Sequence, residues 1–534
     1  MTADAIRHGY TSSKDAGLKS WKKNCSRTAW RTFYRSGLGY KVRIRTYDYV
    51  APTGEVIPIS YISPTELVEY LLQHHPGLLV GGLQCPLEIS RQVDTFWKCF
   101  KLHSGDHQVF EEYGHDGRGM ENIIPMAWHG DEGRGKRRGN TVVVNLQSVI
   151  GVETACSKKR KDSDCRDSKP PPSFVQKYPR TSHKLDAGAL ERVCNQWTTM
   201  KGHSFLQHFA LFVLPSSVHH AYPGALGEML QLMAADLKRL FFEGVTVRGK
   251  HFAVAITAAK GDLKWFCKIA LERSFQNQGV VRSIPCCHEC MAGEDTLDWE
   301  DMREWPVWAN TRYSQRPWTQ PPPTLAVPFC RAAPEKQFKR DPFHCAKLGV
   351  YRDLAGSCIC WLVEQGYYGQ VGDFPSKLSA CHAVFKLFCL STGRTAATCR
   401  AAIAFFKGLN GHGLHMRREC GMCVRMELKK FITGYSLLAS NALNSSFNGW
   451  AMKPKLHLMK HADLELHEHL LKGIEVIPNF NAHNCEMDED FVGRVSRLSR
   501  RLDSRTVGQR VLQCVLLKSH LLWRQFTKEN GLRP

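Results

Sequence analysis

Two aspartates in this 534-residue chain each follow a glycine at the end of an apolar run: Asp131 after IIPMAWHG and Asp262 after FAVAITAAKG. A third acidic group, Glu486, Asp488, Glu489 and Asp490, opens the amphipathic stretch CEMDEDFVGRVSRLSRRLDSR. Carboxylates are hard oxygen ligands. Three of them suffice to hold two Mg²⁺ ions about 4 Å apart, which activate an oxygen nucleophile and stabilise a leaving oxygen in phosphodiester hydrolysis or strand transfer. Each acid also has a plainer explanation. Asp beside Gly is a common turn residue, and acids in the first turn of a helix answer its dipole. On a helical wheel Asp488 lies nearest the buried stripe of Phe491, Val495, Leu498 and Leu502, and Glu489 lies about 100° around.

Softer ligands form a second group. Cys287-x-x-Cys290 has the spacing of half a tetrahedral zinc site, with His344, Cys345, His457 and His461 as candidates to complete it. Two reduced cysteines in a loop would look the same. His412-x-x-His415 with Cys420-x-x-Cys423 is compositionally a full zinc set, but the chain resumes at once as an apolar helix, Met426 to Leu443. Asp341 and His344, three residues apart, suit either proton transfer beside a phosphate or a simple helix cap. Arg134, Lys136, Arg137 and Arg138 follow Asp131, and Arg494, Arg497, Arg500 and Arg501 gather opposite the apolar stripe. Both basic sets suit phosphate contacts or solvated surface.

The elements that must position these residues are legible from periodicity. Ile123 to Trp128 and Thr141 to Ile150 read as strands joined by the basic turn GRGKRRGN, and Phe205 to Leu214 as a third strand. Pro223 opens a helix with Leu226, Met229, Leu230, Met233, Leu237 and Leu240 on one face, and Gly244 stops it. His251 to Thr257 is a nearly continuous apolar run, as in a strand covered on both faces. A helix from Leu263 to Phe275 follows Asp262. Earlier, Thr65 to His75 is a short helix candidate. The order is three strands, a helix, a fourth strand and a helix, with one aspartate after the first strand and another after the fourth. This α/β pattern matches an RNase H-like mixed sheet flanked by helices, in which the first and fourth strands are neighbours.

Composition bounds the function classes. Lys plus Arg is 72 against 50 acids, a formal charge of +22, which favours a polyanionic partner such as DNA. No apolar run is long enough to cross a bilayer, and the N-terminus lacks a secretory hydrophobic stretch, so an intracellular protein is expected. The 21 cysteines then read as packing residues or metal ligands rather than disulfides. Residues 1–45 interleave basic and aromatic side chains. Ser157 to His183 reads as a disordered insertion, and its Lys158-Lys159-Arg160-Lys161 run as a nuclear import signal. The divisions expected are 1–120, an N-terminal basic region; 121–275, the core; 276–480, a mostly helical Cys/His insertion; and 481–534, helices completing the core.

Three blocks resemble the CACTA-type (En/Spm-like) DNA transposases. LKRLFFEGV, FAVAITAAKGDLKW and PCCHECMAG occur in the order of that family's helix, strand, Asp, helix and CxxC pair. Asp341-Pro-Phe-His344 with CAKLGVYRDLAGS is similar to its Asp-x-x-His block, and KPKLHLMKH followed by MDEDFVGRV to its C-terminal block. The resemblance implies a cut-and-paste transposase with Asp131, Asp262 and Glu489 as the catalytic acids, two Mg²⁺ ions, and Asp488, Asp341 and His344 as auxiliary residues. WHGDEGRGKRRGN departs from the family's Asp-Gly-aromatic form, and no N-terminal DNA-reading module is recognisable. A transposase-derived binding protein that no longer cuts, or a zinc-stabilised RNA-binding scaffold, fits the same charge. The oligomeric state is open between a monomer and a homo-oligomer.

Overall fold

The computed structural model describes residues 32, 35–36, 38–114, 119–135, 139–155, 170–179, 181, 185–276, 285–366, 393–445, 447–500, 502 and 506–532. Nine strands are present among them: β1 Arg45–Val50, β2 Val56–Tyr61, β3 Ile123–Arg134, β4 Asn140–Ser148, β5 His208–Pro215, β6 Val245–Val247, β7 Lys250–Lys260, β8 His415–Arg417 and β9 Val476–Pro478. The first seven form a mixed sheet in the order β1-β2-β5-β4-β3-β7-β6, and β8 and β9 pair separately. The chain is thus a mixed α/β protein with helices flanking a seven-stranded sheet.

The helices that bear on the site are α1 Pro223–Phe242, α2 Leu263–Lys268, α3 Arg394–Gly411, α4 Arg418–Leu443, α5 Pro454–Leu471, α6 Glu486–Ser499 and α7 Val507–Glu529. Strands β3, β4, β5 and β7 are buried along nearly their whole length. That is why they read as continuous apolar runs rather than alternating ones. β3 and β4 are antiparallel, as are β4 and β5, whereas β3 and β7 run parallel. The parallel register pairs Ile123 with Ala253 and ends with His129 opposite Lys260. Asp131 and Asp262 each come two residues beyond that last pair, so the two strands deliver them to the same end of the sheet.

One apolar core joins the sheet to α1, α6 and α7 through residues such as Met229, Leu237, Phe491, Val495 and Val511. A second gathers Cys287, Trp308, Phe405, Phe431, Tyr435 and Leu464 from α3, α4, α5 and the segment before them.

Several local expectations are corrected. Within the 1–120 N-terminal division, residues 45–113 join the core. β1 and β2 extend the sheet, and helix Pro86–Ser104 puts Phe96 and Trp97 into the sheet core. The helix after Asp262 stops at Lys268, because Ala270 takes a left-handed φ of 96° and the chain turns to bury Ile269 and Leu271. Within 157–183, where an unstructured insertion was expected, Pro172–Val175 is a short helix and Tyr178 packs into the second core. The basic run 158–161 lies outside the described residues. Among the described residues, no helix is long and apolar enough to cross a membrane.

Candidate functional site

Asp131, Asp262 and Glu489 line one cleft of about 230 Å³, together with Glu132, Asn140, Lys264, Trp265, Lys268 and His344. Asp131 lies near the end of β3 and is largely buried. Asp262 caps α2: its Oδ1 accepts the Trp265 backbone N–H at 2.6 Å. The turn-residue explanation of this aspartate therefore holds, and the cap fixes the carboxyl at the cleft as well. Glu489 lies in the first turn of α6, which crosses close to β3 because Gly133 has no side chain. A Cβ there would stand 2.1 Å from Ser496 Oγ and 2.9 Å from Val492 Cγ1.

Electrostatics mark the three acids as one group. Burial pushes the Asp131 carboxyl well above the usual carboxylate range, and the charges of Glu489 and Asp262 push it further. Asp131 hydrogen-bonds Glu489. Carboxyls brought this close are held as anions only when cations lie among them.

The neighbouring acid, Asp488, plays a different part. It has no exposed surface, whereas the Glu489 side chain is 34% exposed toward the cleft. Asp488 Oδ2 accepts a hydrogen bond from Lys260 Nζ at 2.7 Å, and its Oδ1 lies 3.2 Å from His208 Nε2. Lys260 also donates to Gln147 Oε1 and to the Asn484 carbonyl. Burial works against the Asp488 anion, but Lys260, His129 and His208 outweigh it and hold the carboxyl far below its usual range. Asp488 thus ties α6 to β7.

Asp341 and His344 stand beside the cleft. Asp341 Oδ1 accepts the backbone N–H groups of Phe343 and Cys485, and its Oδ2 accepts His344 Nδ1 at 2.5 Å. The opposite ring nitrogen, Nε2, lies 3.5 Å from Glu489 Oε1. Burial disfavours the imidazolium, yet Asp341, Asp262 and Asp131 together raise the His344 pKa above its ordinary value. Asp341 is a helix cap, and through Cys485 and His344 it also steadies the start of α6.

Cys287 and Cys290 meet His457 and His461 of α5, all four buried, with their ligand atoms within 4.8 Å of one another. Cys290 Sγ lies 3.3 Å from His457 Nε2 and 3.4 Å from His461 Nε2, and the two Nε2 atoms are 3.1 Å apart. Tetrahedral zinc bound by two sulfurs and two nitrogens requires ligand separations of about 3.3 to 3.8 Å. The soft and borderline donors therefore fit a metal ion such as zinc. His457 Nδ1 is held by the Trp299 carbonyl at 3.2 Å, which turns Nε2 inward. Of the other candidates, His344 belongs to the acid cleft, and Cys345 is buried outside the cluster. The set His412, His415, Cys420 and Cys423 does not converge. Its cysteines lie in the first turns of α4, and His415 Nε2 faces His103 Nε2 at 3.2 Å.

The basic residues are dispersed. Arg494 pairs with Asp490 at 2.6 Å, and Arg500 donates to the Arg134 carbonyl. Arg497 is exposed. Lys136, Arg137, Arg138 and Arg501 lie outside the described residues. Sequence reasoning missed Lys264, Lys268, Asn140, His219 and Lys260. The spacing signal for Lys264 and Lys268 was present: they stand four apart on the short helix that Asp262 caps. Lys268 and His219 both engage Glu132, His219 at 2.9 Å. No protein-family model matches the chain, and comparison with curated proteins finds no significant match.

Proposed function

We propose that this chain is a transposase-like nuclease and strand transferase that acts on DNA through an RNase H-like core. The observation that carries the reading is the convergence of Asp131, Asp262 and Glu489 from three remote elements into one cleft. The parallel pairing of β3 with β7 supports it, since the RNase H-like arrangement requires the first and fourth core strands to be adjacent. The resemblance of three sequence blocks to CACTA-type transposases points the same way, and the CxxC of one block is half of the buried Cys/His cluster.

Asp131, Asp262 and Glu489 would hold two Mg²⁺ ions: the donors are all hard oxygens, and their mutual repulsion calls for cations. Bound there, divalent ions supply charge stabilisation to the attacking and leaving oxygens of a phosphodiester. The chain's own residues do the rest. Lys264 offers positive charge at the rim for a phosphate oxygen. His344, fixed by Asp341, orients the Glu489 carboxyl. Glu132 is already matched by Lys268 and His219, which leaves the cation-binding role to the other three acids. A formal charge of +22 supports a polyanionic partner and fits work in the nucleus.

The test is nicking and strand transfer on DNA carrying the element's ends, with Mg²⁺ or Mn²⁺. Activity lost in Asp262→Ala, with DNA binding retained, is the expected result. DNA binding without any cleavage by the unmutated chain would replace this reading with a transposase-derived binding protein.

A further inference from the structure

A second cavity, of about 260 Å³, lies away from the carboxylate cleft, where helix Pro86–Ser104, the segment 329–340 and the C-terminal half of α5 meet. Its wall is rich in charge, and the pairing of those charges is uneven. Asp106 is matched by Lys336 at 2.6 Å, Glu468 by Arg312, and both Glu289 and Glu465 by Arg340. Each carboxylate on the wall thus contacts a cation, but Arg340 serves two of them, so three cations meet four carboxylates.

The donors are not used up. The Lys339 ammonium makes no hydrogen bond or ion pair among the described residues; it lies 5.6 Å from the Phe329 ring centroid, and the charges of Glu465 and Glu289 favour it from a distance. Arg312 Nε, Arg340 Nε and His469 Nδ1 are buried and without partners. His103 and His483 complete the polar wall. Leaving buried N–H donors without acceptors is costly. With Lys339 and Lys472 the wall carries five basic side chains against four carboxylates, beside four histidines, and this donor-rich lining suits an acceptor-rich anion.

We infer that this cavity binds a tetrahedral oxyanion of the phosphate class, held by Lys339 and by the unpartnered Nε–H groups of Arg312 and Arg340. Two separate N–H groups and an ammonium suit an anion that offers several acceptor oxygens in different directions better than they suit a halide. Neither the carboxylate cleft nor the Cys/His cluster contributes a ligand atom to this wall, so the inference stands apart from the proposed nuclease chemistry. The phosphate is either free in solution or the terminal phosphate of a nucleic-acid strand.

The probe is inorganic phosphate, titrated into the zinc-loaded full chain without added divalent ions, against chloride at matched ionic strength. Calorimetry and thermal unfolding are the readouts. Saturable binding is expected, weakened about tenfold or more in Lys339→Met, as loss of a charged hydrogen bond implies. It should be unchanged in Arg303→Met, which alters an exposed arginine outside both this wall and the carboxylate cleft. Absence of saturable binding, or equal binding by Lys339→Met, overturns the inference. Should Lys339→Met fail to fold, crystals of the unmutated chain soaked in tungstate decide the matter. An anomalous peak beside Lys339 supports the site, and a peak only elsewhere overturns it. A short oligonucleotide with a 5′-phosphate is then compared with its 5′-hydroxyl form. Displacement of inorganic phosphate by the first alone assigns the site to a strand end, and displacement by neither assigns it to the free ion.

Discussion

Trp265 stands where a side chain on Gly130 would have to go: its Cζ2 lies 2.0 Å from the position of a Cβ built there. The same indole places Cδ1 2.4 Å from a Cβ built on Gly261. One ring thus spans the two glycines that precede Asp131 and Asp262, and both backbones approach it closely because neither carries a Cβ.

Gly130→Ala should therefore force the indole outward. Overpacking of this kind costs about 1–3 kcal/mol, to be read from denaturant unfolding. Divalent-dependent DNA cleavage should fall more than stability alone explains. Stability within about 0.5 kcal/mol of the parent would mean that Trp265 yields freely and does not set the spacing of the two aspartates.

The Lys260–Asp488 pair has a different signature. Either Asp488→Asn or Lys260→Met leaves a buried group without its partner and should cost about 3–5 kcal/mol. Combining Lys260→Met with Asp488→Asn should cost less than the sum of the single changes, with a coupling of about 0.5–3 kcal/mol. Strict additivity in that cycle would dissolve the claim that the two residues act as a unit.

Asp131→Asn should behave in the opposite sense. The like charges of Glu489 and Asp262 oppose the Asp131 anion, so removing its charge should raise the melting temperature when divalent ions are absent. The parent chain should be stabilised by Mg²⁺ and the variant much less. Equal Mg²⁺ stabilisation in both would place the ions elsewhere.

His107 supplies a pH test. Burial lowers its pKa to about 4, and its Nδ1 accepts the Val109 N–H at 3.0 Å, which only the neutral ring can do. The unfolded side chain titrates near pH 6.5. Between these values the unfolded state binds a proton that the folded state refuses, so stability is full above about pH 6.5 and falls toward pH 4, by on the order of 3 kcal/mol. In His107→Gln, proton uptake on unfolding at pH 5 should drop by about one. An unchanged uptake would show that His107 titrates alike in both states.

The Cys/His cluster predicts about one zinc per chain, measured by elemental mass spectrometry. Chelation should lower the melting temperature. Cys290→Ser and His457→Ala should each release the metal, because a closed tetrahedral site needs all four donors. Full zinc retention in both variants would rule out this cluster as the binding site.

Much of this site was legible before the chain was folded. The apolar runs of β3, β4, β5 and β7, the glycine-aspartate pairs at two strand ends, and the acidic start of α6 are local patterns. Strand burial, capping and helical periodicity depend on residues a few positions apart. The wheel put Asp488 nearest the buried stripe and so favoured it over Glu489 as the third acid, whereas that burial gives it to Lys260. The CxxC pair was visible, but its partners were four equal candidates.

Three matters were decided by tertiary structure alone. The parallel register of β3 on β7 set Asp131 beside Asp262. The close crossing of α6 over Gly133 turned Glu489 toward them, and the packing of α5 against the segment holding Cys287 chose His457 and His461. Local sequence settles which element forms and which face is apolar. Convergence of side chains more than a hundred residues apart depends on sheet register and interhelical approach, and these are set by the packing of the whole core.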